Sequence, residues 1–265
     1  MLLLVAVAAA MCLTSTAANA HQAAEASDLK VFTTRAVATV LQKIRGDVER
    51  KTGRKLSVTT DVAIRLVRLV KAGEAFDVLV AAPGQLDELI AEGMIIRDTR
   101  TDIARSGIGV AVRRGATKPD VSSLEAFTRA LVDARSIAYL KEGQSGLYIA
   151  DVLDRLGIAD QIKPKLTLPD TDIVSQLVSR GEVELGIVVI TQILTTDGVS
   201  LAGPLPPEIQ SYITFTGGVS VNSQALEAAN ELMRMLQAPA AIGVMRSQGM
   251  EPGRRRLRSC QHHAA

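Results

Sequence analysis

The chain has no tryptophan, three tyrosines and four phenylalanines among 265 residues. With few aromatic platforms for stacking bases and a formal charge of only +2, it lacks the footprint of a nucleic-acid-binding protein. Its three histidines, His21, His262 and His263, all lie near the ends of the chain, so Ser–His or Cys–His catalysis finds no base in the body of the sequence. The two cysteines are Cys12 and Cys260. Only Cys260 survives removal of the leader expected below, which leaves no intrachain disulfide and suits a bacterial periplasm better than a small secreted scaffold. No Walker loop, Rossmann glycine fingerprint or zinc motif is present. The Cys260-Gln261-His262-His263 tail has no second ligand cluster to complete a metal site, so neither metal nor cofactor is expected. After residue 20 no apolar run approaches the ~20 residues of a membrane span.

Both ends of the chain differ from its middle. Met1 to Ala20 is apolar and uncharged and ends in Ala18-Asn19-Ala20, the form of a signal-peptidase site with cleavage before His21, although a basic first segment is missing. Met11 before Cys12 is too large for a lipoprotein signal. A periplasmic location is therefore expected. Arg254, Arg255, Arg256 and Arg258 crowd a tail, residues 253–265, that reads as disordered. Taking these four from the 30 basic residues leaves 26 against 28 acidic ones, so the body is nearly neutral.

That body alternates strands and helices. A short strand, Leu29-Lys30-Val31, runs into Thr33-Thr34-Arg35, and a helical stripe follows from Ala36 to Thr52, closed by Gly53. A second strand at Leu56-Ser57-Val58 ends in Thr59-Thr60-Asp61 and feeds a helix from Val62 to Gly73; a third, Phe76 to Val80, feeds a helix that ends at Gly93. Three β-then-α units in succession imply parallel strands with right-handed crossovers, an α/β doubly wound class whose ligands sit at the carboxyl ends of strands.

Further on, Ile108 to Val112 reads as a strand, and Ser122-Ser123-Leu124-Glu125 as a capping box opening a helix. Ile137 to Tyr139 leads through Lys141-Glu142-Gly143-Gln144-Ser145-Gly146 into a helix. Asp170-Thr171-Asp172 reads as the cap of a helix from Ile173 to Ser179, and Leu185 to Ile190 is a strand ending in Thr191-Gln192. Val199 to Pro207 reads as a Pro-rich crossing, Tyr212 to Val221 as a return strand, and two helices close the chain.

Four of these strand ends carry hydroxyls at the start of a helix. One Thr or Ser there is an ordinary N-cap. Four, two in each half of the chain, point to a cleft in which helix N-termini and hydroxyls hold an anion. Arg35 sharpens that expectation, because the planar guanidinium fork matches a carboxylate. Asp61 reads as a cap or a general base, Lys141 and Glu142 as loop charges, and Tyr148 and Tyr212 as core or cleft wall.

Over residues 28–252 the chain resembles the periplasmic molybdate-binding protein family of solute-binding proteins. The resemblance is carried by Leu29-Lys30-Val31, Lys51-Thr52-Gly53, Ala72-Gly73-Glu74-Ala75-Phe76-Asp77-Val78, Leu86-Asp87-Glu88-Leu89 and Ala104-Arg105-Ser106-Gly107-Ile108-Gly109-Val110-Ala111-Val112. It continues in Val152-Leu153, Leu156-Gly157-Ile158-Ala159 and Gly203-Pro204-Leu205-Pro206. It implies a two-lobed type II periplasmic-binding fold, each lobe a mostly parallel sheet, with one lobe made of 28–106 and 213–252 and the other of 107–212. It implies ligand contacts from Thr33, Thr34, Thr60, Ser145, Thr191 and Tyr212, a monomer, and an ABC-type permease as partner. Molybdate sites in the family are largely uncharged. Arg35 and Asp61 depart from that pattern and imply a larger organic anion, a di- or tricarboxylate. The chain is also similar to aconitate isomerases related to that family, in which reading Arg35 would clamp a carboxylate and Asp61 or Glu142 would move the proton. The expected function is a receptor for a small organic polycarboxylate, with aconitate isomerisation and molybdate- or tungstate-type oxyanion binding as the open alternatives.

Overall fold

A computed structural model describes residues 28–253. The expected leader and most of the arginine tail, with both cysteines and all three histidines, lie outside these residues. In chain order the first elements are β1 (Leu29–Thr33), α1 (Arg35–Thr52), β2 (Leu56–Thr60), α2 (Ala63–Lys71), β3 (Val78–Ala81), α3 (Pro83–Ala91) and β4 (Thr101–Arg113). Then come α4 (Leu124–Asp133), β5 (Ile137–Ala138), α5 (Gln144–Arg155), α6 (Ala159–Ile162), β6 (Leu166–Thr167), α7 (Val174–Arg180), β7 (Leu185–Val189) and α8 (Ile190–Thr195). The chain closes with β8 (Val199–Pro204), β9 (Tyr212–Val219), α9 (Leu226–Met235), α10 (Pro239–Ser247) and β10 (Glu251–Pro252).

α1 shows why the local elements form as expected. Val37, Val40, Leu41, Ile44 and Val48 recur on one face and are all buried, each worth about 1.5–3 kcal/mol. Gly53 at φ 67° then takes the left-handed turn that a side chain would resist.

The strands follow the order β2-β1-β3-β9-β4-β7-β5-β6. β1 is parallel to β2 and β3, and β5 is parallel to β6 and β7. β9 joins the first group antiparallel, between β3 and β4. β4 belongs to both groups: Thr101 to Gly107 pairs with β9, whereas Ile108 onward pairs with β7 and β8. The strand expected at Ile108 to Val112 is therefore only the second half of a 13-residue strand. Arg105-Ser106-Gly107, just before the expected strand, belongs to it as well: Ser106 is buried and Arg105 pairs in register with Thr214 and Glu251. The Pro-rich crossing from Val199 is likewise a strand, β8, for most of its length. Its Pro204 falls at the last position of the strand, opposite Gly109.

Two caps also differ from expectation. The N-cap of α4 is Ser123, whose hydroxyl accepts from the Ala126 amide at 3.2 Å, while the Ser122 hydroxyl donates to Asp120. α7 begins after Ile173 with no side-chain cap, because Asp172 is engaged elsewhere.

Asp77 anchors the base of the first sheet. Its buried carboxylate accepts from the Lys30 amide at 2.8 Å and from the Ser223 hydroxyl at 2.6 Å, tying β1 to the segment before α9. Asp77→Ala leaves both donors without a partner and is expected to cost about 3 kcal/mol, read as a lower midpoint in urea unfolding.

Candidate functional site

β1 and β2 end side by side, with Thr33 opposite Thr60 in register. Thr33 is fully buried and its carbonyl accepts from the Asp61 amide at 3.3 Å. The chain turns at Thr34, the N-cap of α1, and Arg35 opens the helix. Thr60 is exposed at the tip of β2. Asp61 spends Oδ1 on the amide of Val62, the N-cap residue of α2.

The hydroxyls at these joints do not act as ordinary caps. No side-chain capping hydrogen bond closes α1, α2 or α5, although α4 has one from Ser123. Their first-turn amides keep their donor capacity and the positive end of the helix dipole. Thr34 Oγ1 is buried without a hydrogen-bond partner, and so are Arg35 Nε, Glu142 Oε2, Ser175 Oγ and Gln192 Oε1. Among the described residues these five are the buried side-chain polar atoms without a hydrogen bond, Arg35 Nε and Glu142 Oε2 having only a longer ionic contact, and all belong to junctions where a strand or loop enters α1, α5, α7 or α8. Buried groups without a hydrogen bond are costly and rare, and their concentration at these junctions makes this the candidate site.

The structure brings two groups of junctions into contact. Val62 and Ile64 of the α2 start pack with Ala138, Leu140, Val174 and Leu177 on the other side. Arg35 reaches over to α7: its Nε lies 3.5 Å from Asp172 Oδ2, and its Nη1 donates to the Gln176 amide oxygen at 2.9 Å when that amide also donates to the Ile173 carbonyl. Gln192, at the start of α8, donates to the same Asp172 oxygen at 2.6 Å. At the rim Arg68 of α2 lies 3.6 Å from Glu142.

Asp172 is the most perturbed carboxyl of this cluster. Burial pushes it from the ordinary 3.8 up to about 6; Arg35 pulls it down and the negative charge of Asp61 adds to the rise. Desolvation thus outweighs the ion pair with Arg35.

The remaining expected residues have mixed placements. Ser145 is buried in the first turn of α5. Beside it, a Cβ on Gly146 would meet the Leu140 carbonyl oxygen at 1.9 Å, so the loop into α5 requires glycine there. Gly146→Ala is expected to cost about 1–3 kcal/mol and to weaken anion binding by displacing Ser145; thermal denaturation and calorimetry read the two effects. Thr191 is buried and donates to Ser106 Oγ at 3.1 Å, while Ser106 itself reaches the Gly249 carbonyl at 3.3 Å. Its hydroxyl thereby braces β4 next to the point where that strand changes partners. Tyr212 is exposed and lies under the Arg105 guanidinium, 4.5 Å from ring centre to carbon. Tyr148 donates to the Ile209 carbonyl at 2.9 Å.

Sequence reasoning missed Asp172, Ser175 and Gln192 as candidate site residues. Asp172 was hidden inside an Asp-Thr-Asp run that reads as a cap, and Ser175 one turn later has no pattern of its own. Gln192 stood directly after a flagged hydroxyl, which was the one usable signal.

A model of the bacterial extracellular solute-binding protein family matches residues 29–251. The chain belongs to that family. This solute-binding protein is 28% identical over 230 residues to an aconitate isomerase from Pseudomonas sp, covering 84% of this chain and 87% of that protein. It is 22% identical over 232 residues to the molybdate-binding protein ModA of Escherichia coli K12, covering 85% and 90%. The solved Azotobacter vinelandii periplasmic molybdate-binding protein superposes with a TM-score of 0.71 at 18% identity, over 84% of this chain and 99% of that one. The solute-binding protein therefore has the two-lobed type II fold of periplasmic binding proteins and is of the molybdate-binding type in architecture.

Proposed function

We propose that the cleft of this solute-binding protein holds a small organic polycarboxylate of the aconitate kind and shifts its double bond by moving a proton. Arg35 carries the reading. A guanidinium beside an uncapped helix N-terminus is suited to a planar carboxylate, whereas a tetrahedral oxyanion is served by neutral donors alone. Residues 28–106 with 213–252 form one lobe in this reading and 107–212 the other, supported by the change of partners along β4. Thr33, Thr34, Thr60 and Ser145 supply hydroxyls from the facing junctions. The similarity to an aconitate isomerase over 84% of the chain, together with a buried carboxyl beside the clamp, supports an isomerase over a plain receptor. The apolar N-terminal run acts as an export signal and places the protein in the periplasm.

A second reading is a transport receptor that delivers the same polycarboxylate to an ABC-type permease as a monomer; the family match favours it. The two readings part in one experiment. Purified protein is mixed with trans-aconitate in deuterated water and the vinyl and methylene signals are followed by NMR, with calorimetry against trans-aconitate, citrate, molybdate and tungstate in parallel. Conversion to cis-aconitate is the expected result. Saturable binding of trans-aconitate without conversion establishes the receptor, and tight binding of molybdate in preference to every carboxylate overturns both.

A further inference from the structure

We infer that the Asp172 carboxylate is the group that carries the proton in the aconitate isomerisation, an assignment that rests on the isomerase reading above. Three carboxyls belong to these junctions, and their surroundings separate them. Asp61 holds the amide next to it through Oδ1 at 2.7 Å. Glu142 is paired with Arg68 at the rim, where its side chain is 37% exposed. Asp172 is 11% exposed, lies 3.5 Å from Arg35 and is held by Gln192 at 2.6 Å. Both of these contacts fall on Oδ2, so Oδ1 carries neither. Ser175 Oγ, three residues along the chain, and Gln192 Oε1, on the side chain that holds Asp172, belong to residues more than nine-tenths buried and have no hydrogen-bond partner. Buried polar atoms without a partner call for an explanation, and a bound ligand supplies one.

The chemistry follows from this placement. A substrate carboxylate that takes the Arg35 guanidinium is set beside Asp172. The Asp172 carboxylate removes a proton from the methylene carbon of trans-aconitate. The C–H electron pair becomes the new double bond, and the electrons of the old one are delocalised into the conjugated carboxylate that Arg35 holds. Asp172 then returns the proton to the former vinyl carbon, and the old double bond becomes single. The atoms and charge of substrate and protein are unchanged overall, and no oxidant or co-reactant is needed. The charged groups acting on Asp172 are Arg35 of α1 and Asp61 after β2; its chain neighbour Asp170 is paired with Lys141 at 3.4 Å. A carboxyl whose proton affinity lies near neutrality can both take and return a proton at physiological pH.

The test uses Asp172→Asn in the full chain. Conversion of trans-aconitate is expected to fall about 10²–10⁴-fold, while calorimetry still shows trans-aconitate bound within about tenfold of wild type, since Arg35 and the helix termini remain. In the wild type, kcat at saturating substrate should fall as pH is lowered through about 6, a readout that stands even where the variant folds poorly. Undiminished turnover by Asp172→Asn overturns the assignment and leaves the isomerase reading intact. So does loss of turnover confined to Asp61→Asn or Glu142→Gln. A wild type that binds trans-aconitate without converting it removes the isomerase reading, and the assignment with it.

Discussion

Arg35→Ala is expected to abolish measurable carboxylate binding by this solute-binding protein, with affinity for trans-aconitate falling at least 100-fold. Truncating one partner of a buried, hydrogen-bonded charge pair costs about 2–5 kcal/mol, and a factor of 100 corresponds to about 2.7 kcal/mol. The loss has two sources. The ligand carboxylate loses its fork, and Asp172 loses the one positive charge that favours its ionised form. Arg35→Lys restores the charge but not the planar pair of donors, so about tenfold of the loss should persist. Titration calorimetry against trans-aconitate, citrate and molybdate reads the effect. Because the guanidinium side chain is 38% exposed, the fold itself should lose little, and the unfolding midpoint should move far less than the affinity. An unchanged affinity for every anion would show that the cleft charge acts elsewhere.

Asp172→Asn should make the folded chain more stable at neutral pH although it removes a charge pair. The carboxyl titrates at about 6 in the folded chain against an ordinary 3.8, so between these values the folded state binds more protons than the unfolded one. Stability from this group is therefore greatest below about 3.8 and is lost as pH rises through about 6. The span of roughly two pH units corresponds to about 3 kcal/mol. The attraction of Arg35 is already included, since the value lies high in spite of it. Asparagine keeps the shape and the capacity to meet Gln192 and carries no charge to desolvate. The variant should exceed wild type at pH 8 by up to about 3 kcal/mol, or roughly 10 °C in melting temperature, and the gap should close toward pH 4. Urea unfolding of both proteins across that range is the measurement; a gap that does not vary with pH would mean that burial does not dominate at Asp172. Higher stability with lost turnover would be the usual exchange between a strained site and a stable fold.

Much of the first half of the chain was legible because its signals are local. Periodicity and the glycine after α1 give the helix, and the run from Leu29 into Thr33-Thr34-Arg35 gives strand, joint and charge in seven residues. The same holds for β2 into Thr60 and for the Ser145-Gly146 joint. The first half of β4 was not legible because Thr101 to Gly107 mixes charged, polar and small residues, whereas Ile108 to Val112 is a continuous apolar run. Its strand character comes from partners on both sides, Ile213, Thr214 and Tyr212 of β9 and Glu251 of β10, and strand preference depends more on such context than helix preference does.

The site divides in the same way. Sequence alone determined the hydroxyl-bearing strand ends, the arginine that follows the first of them, and a resemblance specific to an architecture. Only the tertiary structure decided that Arg35 meets Asp172 and Gln176, that Gln192 holds the same carboxylate, and that Thr191 is bound to Ser106. The physical reason is that a strand end and its helix start are fixed by covalent neighbours. The partner of a charge, and the desolvation that sets its proton affinity, come from groups that only folding brings within a few ångströms.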